Sequence, residues 1–364
     1  MNYDFKKILS EFQVRGELIS CKPCGDGHIN DTFMAKFDDC GVIRKYIVGK
    51  MNKNLFTDVE KLMSNIRLVT EFTRKKIKER GGDPDRESVT IVYTKDGESY
   101  KYFEEYGEYF RVYLYLEGEA HSKVERPGQF GQSAVAFGRF AKLLSDFDAT
   151  QLYDVLPDFH NTEKRFADFE KSVKANKSGR AALVKDEIEF VESRKEYCGR
   201  IVNLLKSGKM PLRVTHNDTK LNNVLLDKDT DAPVAVIDLD TVMAGSICYD
   251  FGDSIRFGCN TGAEDEPNLD LVHFDIGLFE EYAKGYLSEV GDSITKIEKD
   301  ELAFGAILMT FECGMRFLAD YIDGDVYFKT SRDGQNLDRA RTQFRLVSEM
   351  EKLLPEMQKI VNKY

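Results

Sequence analysis

The chain has 364 residues, of which 42% are hydrophobic, 12% aromatic and 32% charged. This is the composition of a folded globular protein, and it excludes a disordered chain, a collagen-like chain and a coiled-coil rod. The length predicts about two domains. Acidic residues number 63 against 52 Lys and Arg, so the formal net charge is −11. Because no basic stripe interrupts this acidity, neither nucleic acid nor an anionic membrane is expected as a partner.

Membrane and export segments are not expected either. No apolar run approaches the roughly 18–20 residues that span a bilayer, and residues 1–12 have the pattern of an amphipathic helix rather than of a signal peptide. Seven cysteines, an odd number, favour free thiols in a reducing compartment. Cys21 and Cys24 have the spacing of a metal or redox pair, but no second pair follows at ligand spacing. We therefore expect a cytoplasmic protein that acts on small molecules.

Up to residue 117 the sequence favours short strands separated by turn signals, among them Gly25-Asp26-Gly27 and Asp96-Gly97. The predicted strands are 18–23, 32–36, 42–48, 89–93, 99–106 and 109–116. One helix interrupts them at 58–78, where apolar residues recur with helical period.

After residue 117 the chain is predominantly helical. The predicted helices are 130–144, 183–206, 274–290, 299–321 and 339–364. Three short apolar runs at 212–215, 223–226 and 234–239 predict a small β-patch among these helices. We therefore predict an α+β protein with a β-rich domain at 1–117 and a helical domain at 118–364.

The densest chemical signal is THNDTKLNN at residues 215–223, followed by VIDLD at 236–240. Asp218 comes directly after a predicted strand, and Asn223 offers a neutral oxygen five residues later. Asp238 ends the next strand, and in an extended segment Asp238 and Asp240 point to the same side. Two carboxylates and an Asn oxygen make a Mg²⁺ site of the kind that holds nucleotide phosphates, with a third carboxylate left as base.

The H-x-D-x-x-x-x-N spacing with a later Asp is the arrangement of kinase-type catalytic loops. The chain has HND and IDLD where protein kinases carry HRD and DFG. In these features it resembles the aminoglycoside phosphotransferase and choline kinase superfamily of small-molecule kinases, and within it most closely the N-acetylhexosamine 1-kinase family. The segments that carry the resemblance are GDGHIN (25–30), RVTHNDTKLNN (213–223), VIDLDTVMAGS (236–246), YDFGDSIRFG (249–258) and ECGMRFLADYIDGDVYF (312–328).

The resemblance implies a bilobal protein-kinase-like fold, with a β-rich small lobe and a mostly helical large lobe. It also implies that ATP and Mg²⁺ are used to phosphorylate the anomeric hydroxyl of N-acetylglucosamine or N-acetylgalactosamine. Asp218 would be the base, and Asn223 and Asp238 would hold Mg²⁺. The implied sugar-binding residues are Arg316, Tyr327, Phe257 and His28. The implied nucleotide-binding residues are Gly25, Asp26 and Gly27 over the phosphates, with Tyr113 and Tyr115 in a hinge at 113–117.

Some residues have a second interpretation. Lys50 is the nearest candidate for the strand lysine that kinases pair with a helical glutamate, here Glu60, although Gly49 occupies the equivalent position. The alternative for Lys50 is a solvated lysine at a strand end. Arg316 is either a sugar ligand or a buried salt bridge to Asp320 or Asp253.

Three further polar positions have structural interpretations. His216 is expected to support the catalytic loop through a backbone hydrogen bond. His28 contacts the pocket or packs in its loop. Asp250 and Asp253 are expected to be structural or capping residues.

Other functions remain open beside hexosamine phosphorylation. The nearest is a kinase of the same fold for another alcohol, such as a neutral hexose, an aminoglycoside or choline. A non-catalytic nucleotide-binding protein would keep the fold, but intact Asp218, Asn223 and Asp238 speak against it. A protein kinase would need a longer segment after Asp240. The sequence leaves the oligomeric state open.

Overall fold

The computed structural model describes residues 3–24 and 30–364. It is a mixed α+β structure, as predicted, with a sheet in the N-terminal region and helices in the C-terminal region. Contacts group the chain into two compact units. Unit 1 comprises Met1–Glu119, Thr150–Leu156 and Leu225–Met243, and unit 2 comprises Ala120–Ala149, Pro157–Val224 and Ala244–Tyr364. The predicted boundary after residue 117 stays a prediction, and two later segments join unit 1.

The strands are short and concentrated before residue 115. They are β1 (Glu17–Pro23), β2 (Asp31–Asp39), β3 (Val42–Lys50), β4 (Ile91–Val92), β5 (Lys101–Phe103), β6 (Glu108–Leu114), β7 (Arg213–Thr215), β8 (Val224–Leu226), β9 (Pro233–Val236) and β10 (Met243–Gly245).

The helices dominate the rest of the chain. They are α1 (Phe5–Ser10), α2 (Val59–Glu79), α3 (Pro84–Glu87), α4 (Gln129–Leu143), α5 (Thr162–Ala175), α6 (Lys185–Glu192), α7 (Lys195–Cys198), α8 (Arg200–Lys206), α9 (Ile247–Gly258), α10 (Ile276–Val290), α11 (Lys296–Asp323) and α12 (Gln335–Lys363).

Unit 1 is built on an antiparallel sheet in the order β1-β2-β3-β6-β4, with β5 paired to β6. Side chains alternate between its faces. Tyr46 and Val48 of β3 and Phe110 and Val112 of β6 lie on one face, in a hydrophobic core that also contains residues of α1. Gly49 and Arg111, which are paired in the β3–β6 register, therefore lie on the other face.

Helix α2 ties later segments of the chain into unit 1. Asp58 caps its N-terminus by accepting from the backbone N–H of Lys61. The buried Asn65 donates through Nδ2 to the carbonyls of Tyr153 (2.8 Å) and Val242 (2.9 Å), and its Oδ1 accepts from the Tyr153 N–H (2.8 Å). One amide side chain thus satisfies backbone groups from two distant segments.

Unit 2 is organised around α11, which packs against α5, α9 and α12. This helix contains an 18-residue window with a mean hydropathy of 1.5, long and apolar enough to cross a membrane by composition alone. The prediction that no such run exists was therefore wrong. Because 83% of the window is buried within the protein, the pattern is that of a core helix. Thr295 and Glu298 form a capping box at its start.

Helices α9 and α11 cross at two glycines. A Cβ at Gly252 would lie 2.3 Å from the Gly305 carbonyl oxygen, and a Cβ at Gly305 would lie 2.5 Å from the Cys248 carbonyl oxygen. No side chain fits at either position, so the two backbones touch. This contact fixes the spacing of the two helices.

The structure differs from the predicted elements in one long helix and in α5 and α9, which were not among the predicted helices. Residues 183–206, predicted as a single helix, are divided into α6, α7 and α8. Near the break, the guanidinium of Arg194 makes two hydrogen bonds to Glu351 of α12 (2.7 and 2.9 Å) and lies over the Phe190 ring. These tertiary contacts override the local helical period. All seven cysteines are free thiols, as expected.

Candidate active site

The segment with the kinase-type spacing follows β7, which pairs with β10. Strands β7 and β10 approach closely, since a Cβ at Gly245 would lie 2.7 Å from Oγ1 of Thr215. Two residues later Asn217 adopts a left-handed conformation, with φ of 65°. Asn tolerates this region better than most residues. The chain can therefore turn sharply just before Asp218.

Two carboxylates of α9 hold this catalytic loop, defined here as residues 215–223. Asp250 accepts hydrogen bonds from the backbone N–H groups of His216 and Asn217, each at 2.8 Å. Asp253 accepts from the N–H of Thr219 at 3.1 Å. Burial raises the pKa of Asp250. Both aspartates thus have the structural role expected for them, because backbone N–H groups engage both oxygens of Asp250 and Oδ2 of Asp253, whose Oδ1 accepts from Arg256.

His216 supports the loop as predicted. Its ring is fully buried, and Nδ1 accepts a hydrogen bond from the N–H of Asp218 at 3.3 Å. The ring contacts Phe137 and Phe140 edge-on. This environment fixes the orientation of the loop.

The side chain of Asp218 lies between an amide and an ammonium group. Asn223 donates through Nδ2 to Asp218 Oδ2 (3.0 Å) and to the Asp218 carbonyl (2.8 Å). Lys220 Nζ lies 2.9 Å from Asp218 Oδ1. Burial disfavours the charge of Lys220, but Asp218 and Asp253 outweigh it and raise the Lys220 pKa.

Sequence reasoning missed Lys220. Its position two residues after the candidate base was the available signal. Asp218 and Asn223, in contrast, were predicted from their spacing, and unit 2 brings their side chains into contact.

The second acidic segment lies in unit 1, after β9. Asp238 has a left-handed conformation (φ 58°), and residues Leu239–Thr241 form a 3₁₀ turn. The expectation that Asp238 and Asp240 project alike from an extended segment was therefore wrong. Asp238 is exposed, whereas Asp240 is only 3% exposed and forms an ion pair with Arg111, Oδ1 to Nη1 at 2.5 Å. The Asp240 carboxylate is thus paired with Arg111, and this pairing disfavours Asp240 as the second metal-binding carboxylate beside Asp238.

Asn223 of unit 2 and Asp238 of unit 1 each carry a side-chain oxygen of the kind that Mg²⁺ prefers. Within residues 3–24 and 30–364, no group of three or more His, Cys, Asp or Glu side chains could hold a metal by itself. Mg²⁺ bound with nucleotide usually takes only one or two carboxylates besides phosphate and water. In unit 2 the amide of Asn223 directs Nδ2 to Asp218. In unit 1 Asp238 supplies an exposed carboxylate.

Arg316 of α11 lies among aromatic rings. Its guanidinium carbon is 5.6 Å from the ring centre of Phe159, 5.9 Å from Tyr327 and 5.5 Å from Phe328. We call Arg316 with these three rings the arginine–aromatic cluster. Tyr327 is 63% exposed, so the cluster reaches the surface of unit 2.

The salt-bridge interpretation of Arg316 is not supported. Asp320 accepts from the backbone N–H groups of residues 326, 327 and 328, and Asp253 pairs with Arg256. In the described part of the chain Arg316 has neither an ion pair nor a hydrogen bond. Burial and the like charge of Arg316 lower the pKa of Arg165, and the carboxylate of Glu312 opposes this effect.

The remaining predicted residues have diverse surroundings. Phe257 is half-buried in the last turn of α9. Tyr113 lies on β6, with the Arg111 guanidinium 5.3 Å from its ring centre, and Tyr115 follows that strand with Lys45 Nζ 4.8 Å from its ring centre. Gly25, Asp26, Gly27 and His28 lie outside the described residues.

Lys50 is engaged by carboxylates rather than by Glu60. Its Nζ lies 2.6 Å from Asp31 and 4.0 Å from Glu108, while Glu60 is exposed on α2. The proposed Lys50–Glu60 pair does not form. The nucleotide-binding role of Lys50 stays a prediction, and these contacts disfavour it.

Comparison with known proteins gives one family match and many structural likenesses. The family described as "Phosphotransferase enzyme family" matches residues 20–287, well over half of the chain. An aminoglycoside phosphotransferase from Alicyclobacillus acidocaldarius has a TM-score of 0.63 at 12% identity, covering 100% of this chain and 98% of its own. A microcompartment-associated aminopropanol kinase has a TM-score of 0.59 at 14% identity, covering 97% and 98%.

A spectinomycin phosphotransferase in complex with ADP and spectinomycin has a TM-score of 0.56 at 12% identity, again covering 97% and 98%. At such identities these likenesses establish the fold and leave the acceptor open.

Proposed function

Since the chain belongs to the phosphotransferase enzyme family, we propose that it transfers the γ-phosphoryl group of ATP to the anomeric hydroxyl of N-acetylglucosamine or N-acetylgalactosamine. The observation that carries the transfer step is the catalytic loop. There Asp218 is held by Asn223 and Lys220 on a backbone that Asp250 and Asp253 fix. Phosphoryl transfer through a loose transition state requires mainly positioning and charge neutralisation.

The chemistry assigns a role to each polar group of the loop. The sugar hydroxyl oxygen attacks the γ-phosphorus, the bond to the bridging oxygen of ADP breaks, and the hydroxyl proton passes to an Asp218 oxygen. Asp218 is a weak base, which suffices when the proton leaves late. Lys220, 2.9 Å from Asp218, provides a positive charge beside the transferring group. Asn223 and Asp238 are the proposed ligands of Mg²⁺, which when bound neutralises phosphate charge.

The acceptor site is proposed at the arginine–aromatic cluster. Arg316 presents a fixed fork of donors without a partner among the described residues, a geometry that suits vicinal ring oxygens or an acetamido carbonyl. Aromatic faces beside it suit the apolar face of a pyranose. Arg316 and Arg165 both interact with the buried carboxylate of Glu312, so charge alone does not choose between a neutral sugar and a cationic acceptor.

The other predicted residues complete the proposal. Tyr327, Phe257 and His28 would line the sugar site. Gly25, Asp26 and Gly27 would cover the phosphates, and Tyr113 and Tyr115 would flank the adenine at the hinge. These roles rest on the sequence resemblance.

The test is ADP release from Mg-ATP over a panel of acceptors. The panel contains N-acetylglucosamine, N-acetylgalactosamine, glucose, galactose, mannose, aminopropanol, choline, kanamycin and spectinomycin. We expect turnover with the N-acetyl sugars, and phosphorus coupling at the anomeric proton in the NMR spectrum of the product. Turnover confined to amino alcohols or aminoglycosides would keep a kinase and overturn the hexosamine proposal. Nucleotide binding without ADP release on any acceptor would favour a non-catalytic nucleotide-binding protein.

A further inference from the structure

A glycine and an arginine face each other on the sheet of unit 1. Gly49 of β3 is paired with Arg111 of β6. A Cβ at Gly49 would lie 3.2 Å from Arg111 Nε and 3.4 Å from Arg111 Cγ, so the arginine side chain lies across the glycine. In kinases this position of β3 carries a lysine that contacts the nucleotide phosphates. Here the space above it is filled by an arginine from the neighbouring strand.

Lys50 does not share this face. Strand alternation places Lys50 with Tyr46 and Val48, whose side chains lie in the core against α1. Its ion pairs with Asp31 and Glu108 are consistent with that direction. The lysine nearest in sequence to the kinase position therefore projects from the opposite side of the sheet.

The Arg111 guanidinium is buried but incompletely paired. The residue is 5% exposed, and its ion pair to Asp240 uses Nη1. Its Nε is buried without a hydrogen-bond partner, and Nη2 has no acceptor among residues 3–24 and 30–364. A structural Arg–carboxylate pair usually engages two N–H groups at once, because buried charges need their donors satisfied. Donors on this arginine are thus left for another anion.

Helix α2 does not provide that anion. Kinases place a glutamate opposite the strand lysine, whereas here α2 brings the thioether of Met63 to 4.0 Å from Arg111 Nη1. The counter-charge comes instead from Asp240, whose Oδ2 accepts from Asn30 Nδ2 at 2.5 Å. Asn30 Oδ1 in turn accepts from the Asn52 N–H at 2.9 Å. Asp240 is thereby fixed beside the arginine.

We propose that Arg111, laid across Gly49 and held by Asp240, is the cation that binds the phosphates of the nucleotide in place of the strand lysine of other kinases. This inference rests on the proposed function and adds a residue to it. The planar fork of Arg111 offers two N–H groups to phosphate oxygens, which a lysine at Gly49 would contact as a point charge. Burial opposes the charge of Arg111, but Asp240, Tyr113 and Asp238 outweigh it, so the Arg111 pKa is raised and the charge persists.

The test compares binding of adenosine, AMP, Mg-ADP and Mg-ATP to the full chain by titration calorimetry, without any acceptor. In the wild type we expect affinity to rise when β- and γ-phosphates are present. Arg111→Met should reduce that increment by about tenfold to a hundredfold, while leaving adenosine affinity unchanged, since the ligand contact that is lost is with phosphate. The substitution also removes the counter-charge of the buried Asp240. Lys50→Met is the matched control and should keep the full increment.

If Arg111→Met alone does not fold, variants that keep a cation on β3 or β6 still test the inference. In Gly49→Lys/Arg111→Ala the Arg111 atoms that crowd Gly49, which are Cγ, Cδ and Nε, are removed, and a cation returns from β3. This double variant should fold and recover much of the phosphate increment, and Arg111→Lys should fold with a reduced increment. An unchanged phosphate increment in Arg111→Met overturns the inference about Arg111 but not the proposed function. If Arg111→Met does not fold, an unchanged increment in Arg111→Lys has the same meaning. A wild type that shows no phosphate increment overturns the proposed function as well.

Discussion

The catalytic loop of unit 2 and the segment 236–241 of unit 1 are each held in a turned conformation, but by different kinds of contact. Each follows a short strand, and each contains a left-handed residue, Asn217 or Asp238. The catalytic loop is held through its backbone, by carboxylates that belong to α9. The segment in unit 1 is held through its own side chain, by the buried pair between Asp240 and Arg111.

This difference separates aspartates that look equivalent in the sequence. Because α9 supplies the anchors of the catalytic loop, the Asp218 carboxylate is left for chemistry. In VIDLD Asp240 is buried and anchors the segment, whereas Asp238 is exposed. A carboxylate in a motif is therefore available to a ligand only when something else holds its backbone.

The largest effect is expected from Asp218→Asn, which tests whether the anchored catalytic loop leaves this carboxylate as the base. We expect kcat to fall about a thousandfold, because the base is lost while the loop keeps its anchors. Nucleotide affinity should remain, and steady-state ADP release with calorimetric binding checks both. Asp229→Asn, an exposed turn residue, is the control and should be silent. Activity near that of the wild type in Asp218→Asn would remove this residue from the base role.

Substitution of Asp240 should lower stability, whereas substitution of Asp238 should change the Mg²⁺ dependence of turnover. Asp240→Asn leaves Arg111 without its counter-charge, so we expect the free energy of unfolding to fall by about 3 kcal/mol. Asp238→Asn should leave stability near that of the wild type and raise the Mg²⁺ concentration needed for half-maximal turnover. Denaturant titration and a Mg²⁺ series separate the two outcomes. Equal effects of both substitutions on Mg²⁺ dependence would contradict the distinction.

Asp250→Asn tests whether backbone anchoring matters for turnover. One of the two N–H groups at His216 and Asn217 would then face an amide nitrogen instead of an oxygen. We expect a loss of about 1–3 kcal/mol in unfolding free energy, with kcat lowered and nucleotide affinity kept. Retained kcat in a destabilised variant would show that the loop does not need this anchor for its geometry.

The smallest effect is expected at Arg316, which belongs to neither segment. Arg316→Lys keeps the charge but removes the fork, so the acceptor KM should rise about tenfold. The ATP KM and kcat should stay close to wild type in the same steady-state assay. Arg341→Lys, on a partly exposed arginine of α12 paired with Glu187, is the control. A stability loss without a KM change would return Arg316 to a structural role.

The parts of the site that were predictable lie within single segments. Asp218 and Asn223 stand out by spacing alone, and β1, β2, β3 and α2 follow from local apolar periods. Lys220 could have been found by the same spacing argument.

The anchors and the cation were not predictable in this way. Asp250 meets His216 across 34 positions of sequence, and Arg111 meets Gly49 only through the register of two strands. No local pattern encodes either contact, because each depends on how elements pack. The left-handed conformation of Asp238 was not predictable either, and it made the prediction of an extended segment at 238–240 wrong.

The crossing of α9 and α11 at Gly252 and Gly305 has an evolutionary consequence. Because backbone touches backbone there, the helix that orients the catalytic loop and the helix that carries Arg316 hold a fixed spacing. Under the proposed function, we expect a change of acceptor to come from exchange of side chains, such as the rings of Phe159, Tyr327 and Phe328, and not from movement of the two helix backbones.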